Sequence, residues 1–191
     1  MNKILMLALT AFFLIQSVSS RAEVYSNEKY GFFIPIPKGL TVCPYGQPES
    51  IINNHGAAIL LQGNSDDCQN LSSLPSIGLW ADWDAYEAKT VKDATAIFCT
   101  PPKVGTITIT RRFHIGSLRS LTCELHFSDG WVNIRVDALS KVLHSDGIPL
   151  EHYSISLYTF PNRVAKDIVI LKKVLKTFKL CIPDKDCPEA P

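Results

Sequence analysis

Histidine, serine and acidic side chains are the groups that could carry acid–base or nucleophilic chemistry in this chain. The five histidines are His55, His114, His126, His144 and His152. None lies in a spacing such as HExxH or GxSxG, and the chain has no glycine-rich phosphate-binding loop. Residues 126–129 contain His, Ser and Asp, but a catalytic triad is assembled in space, and Ser128-Asp129-Gly130 is typical of a hairpin turn. We therefore expect no catalytic residue and a protein that is not an enzyme.

Two loops are predicted to form a binding surface instead. Loop 53–56 carries His55, and loop 145–149 lies beside His144 and contains Asp146. Recognition residues often lie on loops that a rigid sheet supports, and the glycines here permit unusual backbone angles. Each of these side chains also fits an ordinary exposed turn without a binding role.

Other chemistry-bearing groups have structural interpretations. Asp82 and Asp84 are poorly placed for sugar hydrolysis, because side chains two residues apart do not face each other on a predicted helix. Glu124 and Arg135 are predicted to form a cross-strand ion pair. Trp80 and Trp83 could stack on a sugar, but we expect them in the core, where aromatic side chains are commoner.

The cysteine content indicates an oxidising compartment. The six cysteines are Cys43, Cys68, Cys99, Cys123, Cys181 and Cys187. An even number in an exported protein predicts disulfides, three here, although several pairings are possible. The pair 181–187 is favoured most because it encloses a short polar loop; the pair 43–68 brackets an apolar segment, and 99–123 remains. No pair has CxxC spacing and no histidine lies close to a pair, so neither a metal nor another cofactor is predicted.

The first 22 residues predict a cleavable signal peptide. Lys3 precedes an apolar run over 4–15 that is too short to span a bilayer, and Ser20-Arg21-Ala22 has the small-x-small pattern of a cleavage site. We expect cleavage near Ala22 and a periplasmic or secreted protein; an uncleaved membrane anchor is the alternative. No later apolar stretch is long enough for a transmembrane span.

Charge excludes several classes of partner. The whole chain has 19 basic and 18 acidic residues, and Lys3 and Arg21 lie in the predicted signal peptide. The remaining formal charge of −1 gives no electrostatic support for binding nucleic acid or an anionic membrane. The length is that of a single domain, predicted over 23–180, with a disulfide-clipped, Pro-rich tail over 181–191. Nothing in the pattern indicates an oligomeric state.

Alternating hydrophobicity predicts most of the strands. We expect an opening strand pair over 25–36 and short buried strands at 57–61 and 76–80. Four later runs have period-two alternation with one polar face, which predicts a four-stranded antiparallel meander. These runs are 107–113, 121–127, 132–138 and 153–160.

Two helices are predicted to pack on this sheet. The first covers 82–94, with Asp82 as its cap. The second has an apolar stripe with three- and four-residue spacing from Val164 to Phe178, with Asn162 as its cap and a solvated lysine-rich face. The predicted fold is therefore α+β, an antiparallel sheet packed by helices.

Both ends of the chain resemble a known family. Tyr30-Gly31-Phe32-x-Ile34-x-Ile36-Pro37-x-Gly39 resembles the opening strand and turn of Mog1/PsbP-like domains, and 171–178 resembles their closing helix, which ends in Phe. The resemblance implies an α/β/α sandwich used for binding and assembly, and it carries over no catalytic residue.

Three functions follow from these observations. The predicted function is that of a non-enzymatic exported protein that binds a partner protein, such as a periplasmic inhibitor or immunity-type protein. The first alternative is a Mog1/PsbP-like small-ligand or envelope-assembly module, which an apolar pocket with convergent polar groups would favour. The second is a small periplasmic hydrolase, which a base with a shifted pKa beside a nucleophile would favour.

Overall fold

The computed structural model describes residues 23–45, 55–83, 88, 90–99, 105–110, 112–140, 151–182 and 185–188. The strands are β1 (Val24–Asn27), β2 (Phe32–Pro35), β3 (Thr41–Pro44), β4 (Gly56–Leu60), β5 (Ser76–Trp83), β6 (Gly105–Thr110), β7 (Ser120–Phe127), β8 (Val132–Leu139), β9 (Glu151–Thr159) and β10 (Lys179–Leu180). The helices are α1 (Val91–Phe98), α2 (Val164–Thr177) and a 3₁₀ helix over Ser65–Ser73. No helix in these ranges is long and apolar enough to cross a bilayer.

The strands form two antiparallel sheets. The large sheet has seven strands in the order β3-β4-β5-β9-β8-β7-β6, and the small sheet has the order β1-β2-β10. The predicted meander is confirmed as β6 to β9, and the predicted opening pair as β1 and β2. Pairing of β9 with β5 joins the meander to the earlier strands. The predicted α+β fold class is therefore confirmed.

One face of the large sheet packs against α2 and the small sheet. Alternate residues of β5 and β9, among them Leu79 and Leu157, are buried on this face. The predicted apolar stripe of α2 is confirmed, because Leu171 and Leu175 are buried in the same core. Burial of each such side chain contributes about 1.5–3 kcal/mol, so this layer supplies most of the hydrophobic stabilisation.

The N-terminus of α2 differs from the prediction. Asn162 does not cap the helix; Arg163 occupies the cap position, and no side chain caps the backbone there. Instead, the Arg163 guanidinium binds the buried carboxylate of Asp167, one turn into the helix, at 3.0 Å and 3.2 Å. This ion pair and a hydrogen bond from Thr159 to Asp167 fix the first turn without a capping residue.

Two short helices cover the edges of the opposite face, and a disulfide holds each one. Cys43 in β3 bonds Cys68 in the 3₁₀ helix, and Cys123 in β7 bonds Cys99 at the end of α1. The two strand cysteines, Cys43 and Cys123, lie in one row across the sheet, and Gly78 of β5 lies between them in that row. We call this side of the sheet the second face. Its centre, over β5 and β9, lies between the two helices.

The third disulfide joins Cys181 to Cys187 in the tail. All three pairings are those that the neighbouring sequence favours. The fold is therefore layered, with α2 and the small sheet on one side of the large sheet and two disulfide-held helices on the other.

The helix predicted over 82–94 is wrong at its start. β5 continues to Trp83, and α1 begins only after Thr90, whose side chain and that of Asp93 form a capping box. Asp82 is held in the strand because β5 pairs with β9 and its carboxylate contacts His152 of that strand. Residues 84–87 and 89 lie outside the described residues.

Candidate functional site

A cavity of about 390 Å³ lies on the second face, beside the 3₁₀ helix. We call it the aromatic cleft. Its aromatic lining residues are Tyr45, Phe127, Trp131 and Tyr158. Its other described lining residues are Ala58, Leu71, Leu74, Ser72, Ser76 and Asp129. The cleft therefore combines apolar walls with two serine hydroxyls, two tyrosine hydroxyls and one carboxylate from separate elements.

The β7–β8 hairpin fixes one wall of the aromatic cleft. Its predicted turn forms around Gly130, whose φ of +87° favours glycine. The Trp131 N–H donates to Asp129 Oδ1 at 3.1 Å, and the Trp131 ring packs on Phe160 with centroids 4.1 Å apart. Trp131 and Asp129 are thus positioned by a tight turn and a ring contact.

Tyr45 and Tyr158 form another part of the lining. A Cβ at Gly78 would lie 2.8 Å from the Tyr45 hydroxyl, so a glycine there leaves room for the tyrosine to lie across β5. Burial, and next the neighbouring Tyr158, raise the pKa of Tyr45 to about 12. Its phenol therefore stays neutral at physiological pH. Tyr158 is 41% exposed on β9 and presents an accessible ring.

A buried charge network lies further along the second face. It consists of His152, Asp137, Asp82 and Arg135. His152 and Asp137 are fully buried, and His152 Nε2 lies 3.0 Å from Asp137 Oδ1. His152 Nδ1 lies 3.2 Å from Asp82 Oδ1, and Arg135 Nε donates to Asp137 Oδ1 at 2.9 Å. Two cations and two carboxylates thus neutralise one another.

The environment of His152 makes it a poor general base. Burial lowers its pKa, but the hydrogen bonds and charges of Asp137 and Asp82 outweigh burial and raise the pKa overall. The pKa of Asp137 is lowered, because the partners His152 and Arg135 outweigh a burial effect of opposite sign. With a carboxylate at each ring nitrogen, the protonated imidazole donates from both nitrogens. It has no lone pair left to accept a proton from a nucleophile.

His55, the first residue of the predicted binding surface, is half-buried just before β4. Its Nδ1 lies 2.8 Å from the Tyr30 hydroxyl and 2.8 Å from the Ala81 carbonyl oxygen. Its ring stacks on Trp80 with centroids 4.7 Å apart. The structure thus places His55 against the sheet.

His144, Asp146 and the loop 145–149 lie outside the described residues. The binding surface predicted from these residues together with His55 therefore stays a prediction. So do the signal peptide over 1–22 and the domain limits.

Two predictions about individual side chains are wrong. Glu124 lies opposite Ile134 in the β7–β8 register, so it faces away from Arg135 and instead binds Arg112 at 3.4 Å. Trp80 is not a core residue, because it is 39% exposed and its indole N–H donates to Asp82 at 2.9 Å. Both corrections follow from which face of the sheet each residue occupies.

A second cavity, of about 370 Å³, lies where residues 112–116 meet α2. Its lining has the opposite charge to that of the aromatic cleft, because it contains Arg112, Lys172 and Lys176 and no described acidic residue. Phe113 is the one described aromatic residue of this cavity, so the cavity offers little surface for an apolar ligand.

No group of three or more His, Cys, Asp or Glu among the described residues is arranged to hold a metal ion.

The aromatic cleft was not predicted from the sequence. A usable signal was the position of Tyr158, a large aromatic on the polar face of its strand, next to serines in the β9 alternation. Trp131, directly after an Asp-Gly turn, was a second signal. The order of the strands in the sheet places the remaining lining residues beside one another, and the spacing of residues in the sequence does not reveal that order.

Comparison with known proteins supports the fold. No family model matches the sequence, and a search of curated proteins finds no related sequence. Among solved structures, the chain is similar to the solution structure of cyanobacterial PsbP (CyanoP) from Synechocystis sp. PCC 6803, with a TM-score of 0.52 and 11% identity. The match covers 86% of this chain and 95% of the other. At this identity the likeness shows the fold alone: the chain has a PsbP-like α+β fold.

Proposed function

We propose that the protein is an exported, non-enzymatic module that binds a small ligand in the aromatic cleft. The observation that carries this proposal is the cleft itself, a concave site of about 390 Å³ with aromatic walls and few polar groups. Small-molecule sites commonly have about 300–1,000 Å³ and this kind of lining. Of the functions predicted from sequence, this one corresponds to the Mog1/PsbP-like small-ligand or envelope-assembly module.

Export to the periplasm or beyond is part of the proposal. The N-terminal pattern supports a signal peptide cleaved near Ala22. Disulfides such as Cys43–Cys68 persist in oxidising compartments, and three are formed here. The disulfides are compatible with a secreted location.

The environments of the described histidines support a role without catalysis. His152 is held between two carboxylates, His55 between a phenol and a carbonyl, and His126 beside Glu124. Neither His55 nor His126 has a serine, threonine or cysteine hydrogen-bonded to its ring within the described residues, so the nucleophile–base pair of a hydrolase has no support at these two histidines. Binding of a partner protein also stays a prediction, and no described feature is assigned to it.

Truncation of Tyr158 tests the proposed site. Ligand-observed NMR would screen a set of small aromatic and aliphatic fragments against the disulfide-intact protein. We expect fragments that bind the wild type to lose about tenfold or more in affinity with Tyr158→Ala, which corresponds to about 1.4 kcal/mol of lost contact. Folding should be retained, because Tyr158 is partly exposed and such substitutions usually cost little stability.

Val169→Ala is the matched control. Val169 is 63% exposed on α2, which packs on the other face of the sheet, so its truncation should leave fragment affinity unchanged. A screen in which no fragment binds, or in which Tyr158→Ala and Val169→Ala bind equally well, would refute the proposed site.

A further inference from the structure

The aromatic cleft carries one negative charge. Asp129 is the charged residue among its described lining, and it forms no ion pair with any described residue. The other polar groups of the described lining residues are serine and tyrosine hydroxyls and the Trp131 indole N–H, and the Tyr45 phenol is neutral because burial raises its pKa to about 12. The cleft therefore offers an anion with no counter-charge inside the described lining.

The turn does not account for this charge. Asp129 Oδ1 accepts the hydrogen bond from the Trp131 N–H that closes the turn, and an asparagine oxygen would do the same. The second carboxylate oxygen has no hydrogen bond to a described residue. Because the side chain is exposed, that oxygen is available to a ligand.

The aromatic lining favours the same kind of ligand. Ring faces carry a negative quadrupole, which attracts a cation placed above the ring. Tyr158 and Trp131 line the cavity together with Asp129, while Leu71 and Leu74 give it an apolar surface. A charged head would contact the carboxylate and the rings, and an apolar stem would contact the leucines.

We infer that the aromatic cleft binds a small organic cation, an amine or guanidinium with a short apolar stem. This inference rests on the proposed function of the cleft and adds the chemical class of its ligand. The volume of about 390 Å³ lies within the usual range of small-molecule sites, so we propose a free small molecule as the source of this cation.

A matched set of probes tests the charge. Three probes share an aromatic stem and differ in charge: phenethylammonium, phenethyl alcohol and phenylacetate. A short lysine-containing peptide tests whether the bound cation is instead a side chain of a polypeptide. Dissociation constants would be measured by NMR titration at neutral pH. We expect phenethylammonium to bind about tenfold more tightly than the alcohol, phenylacetate to bind most weakly, and added salt to weaken the ammonium alone.

Asp129→Asn isolates the carboxylate. It keeps the turn oxygen and removes the charge, so it should reduce the preference for the ammonium to the smaller part that the aromatic rings provide and leave affinity for the alcohol unchanged. Asp66→Asn makes the same change in net charge on the exposed first turn of the 3₁₀ helix, outside the described lining, and should leave the preference intact.

Each remaining outcome has a distinct meaning. Equal binding of ammonium and alcohol, or tighter binding of phenylacetate, would overturn the cation inference and leave the proposed function standing. Binding of none of the probes would count against the proposed function. Much tighter binding of the lysine peptide than of phenethylammonium would overturn the small-molecule source.

Discussion

Replacement of Asp137 with alanine is expected to lower the free energy of unfolding by about 3–5 kcal/mol, the typical cost of removing one partner from a buried ion pair. Asp137 is fully buried and contacts both His152 and Arg135. The substitution leaves the two cations with Asp82 as the remaining carboxylate of the buried charge network. Urea denaturation of the disulfide-intact protein measures the change.

The exposed residue Asp66 provides the control. Asp66→Ala removes the same charge from the first turn of the 3₁₀ helix and should cost less than about 1 kcal/mol. Equal losses for Asp137→Ala and Asp66→Ala would mean that the buried charge network contributes little to stability.

The same network predicts a pH dependence of stability. The pKa of His152 is raised above its unfolded value of about 6.5, so the folded state binds its proton more tightly. This contribution is complete below about pH 6.5 and is lost as the pH rises through the folded-state pKa. The pKa of Asp137 is lowered, so its contribution is present above about pH 3.9 and is lost as the pH falls through its folded-state value.

The variant His152→Gln tests whether His152 contributes to this pH dependence of stability. Wild-type stability should decline above about pH 6.5, while the variant should be less stable at pH 6 and should lack that part of the slope. Urea titrations from about pH 5 to pH 9 give the comparison. Parallel pH profiles for the two proteins would show that His152 does not gain its proton affinity on folding.

Removal of the Cys43–Cys68 disulfide is expected to weaken both stability and ligand binding. Its sequence separation is 25, for which the chain-entropy model gives a loss of about 3.5 kcal/mol in the double alanine variant. The disulfide also anchors the 3₁₀ helix, which supplies Leu71 and Ser72 to the aromatic cleft. Fragment affinity should therefore fall with stability.

The Cys99–Cys123 disulfide is a matched control for this experiment. Its separation of 24 predicts nearly the same entropic loss, but it holds α1, which supplies no described lining residue. Its double alanine variant should lose similar stability and keep fragment affinity when measured below its unfolding temperature. Equal loss of affinity in both variants would show that the 3₁₀ helix is not a specific wall of the cleft.

The spacing of apolar residues correctly predicted those strands and that helix in which buried residues recur at a regular interval. The meander was found because β6 to β9 alternate between a core face and a more polar face, and α2 was found because Leu171 and Leu175 continue a helical stripe. The predicted helix at 82–94 failed because helix propensity is a weak preference that tertiary contacts override. Asp82 pairs with His152, which lies far away in the sequence, and that contact keeps it in β5.

The aromatic cleft could not be predicted because residue spacing contains no information on strand register or strand order. Glu124 and Arg135 were paired wrongly because a shift of one residue in register reverses the face of a side chain. The aromatic cleft joins Tyr45, Trp131 and Tyr158 through the order in which β3, β8 and β9 enter the sheet. That order places β9 between β5 and β8, which alternation within a single strand does not reveal.

Amide chemical-shift mapping tests the central claim most directly. The ¹⁵N-labelled, disulfide-intact protein would be titrated with the tightest-binding fragment. We expect the largest shifts at Ser72, Ser76, Asp129, Trp131 and Tyr158, which line the aromatic cleft from four separate elements. The largest shifts at the basic cavity between residues 112–116 and α2, or no saturable shifts at all, would contradict it.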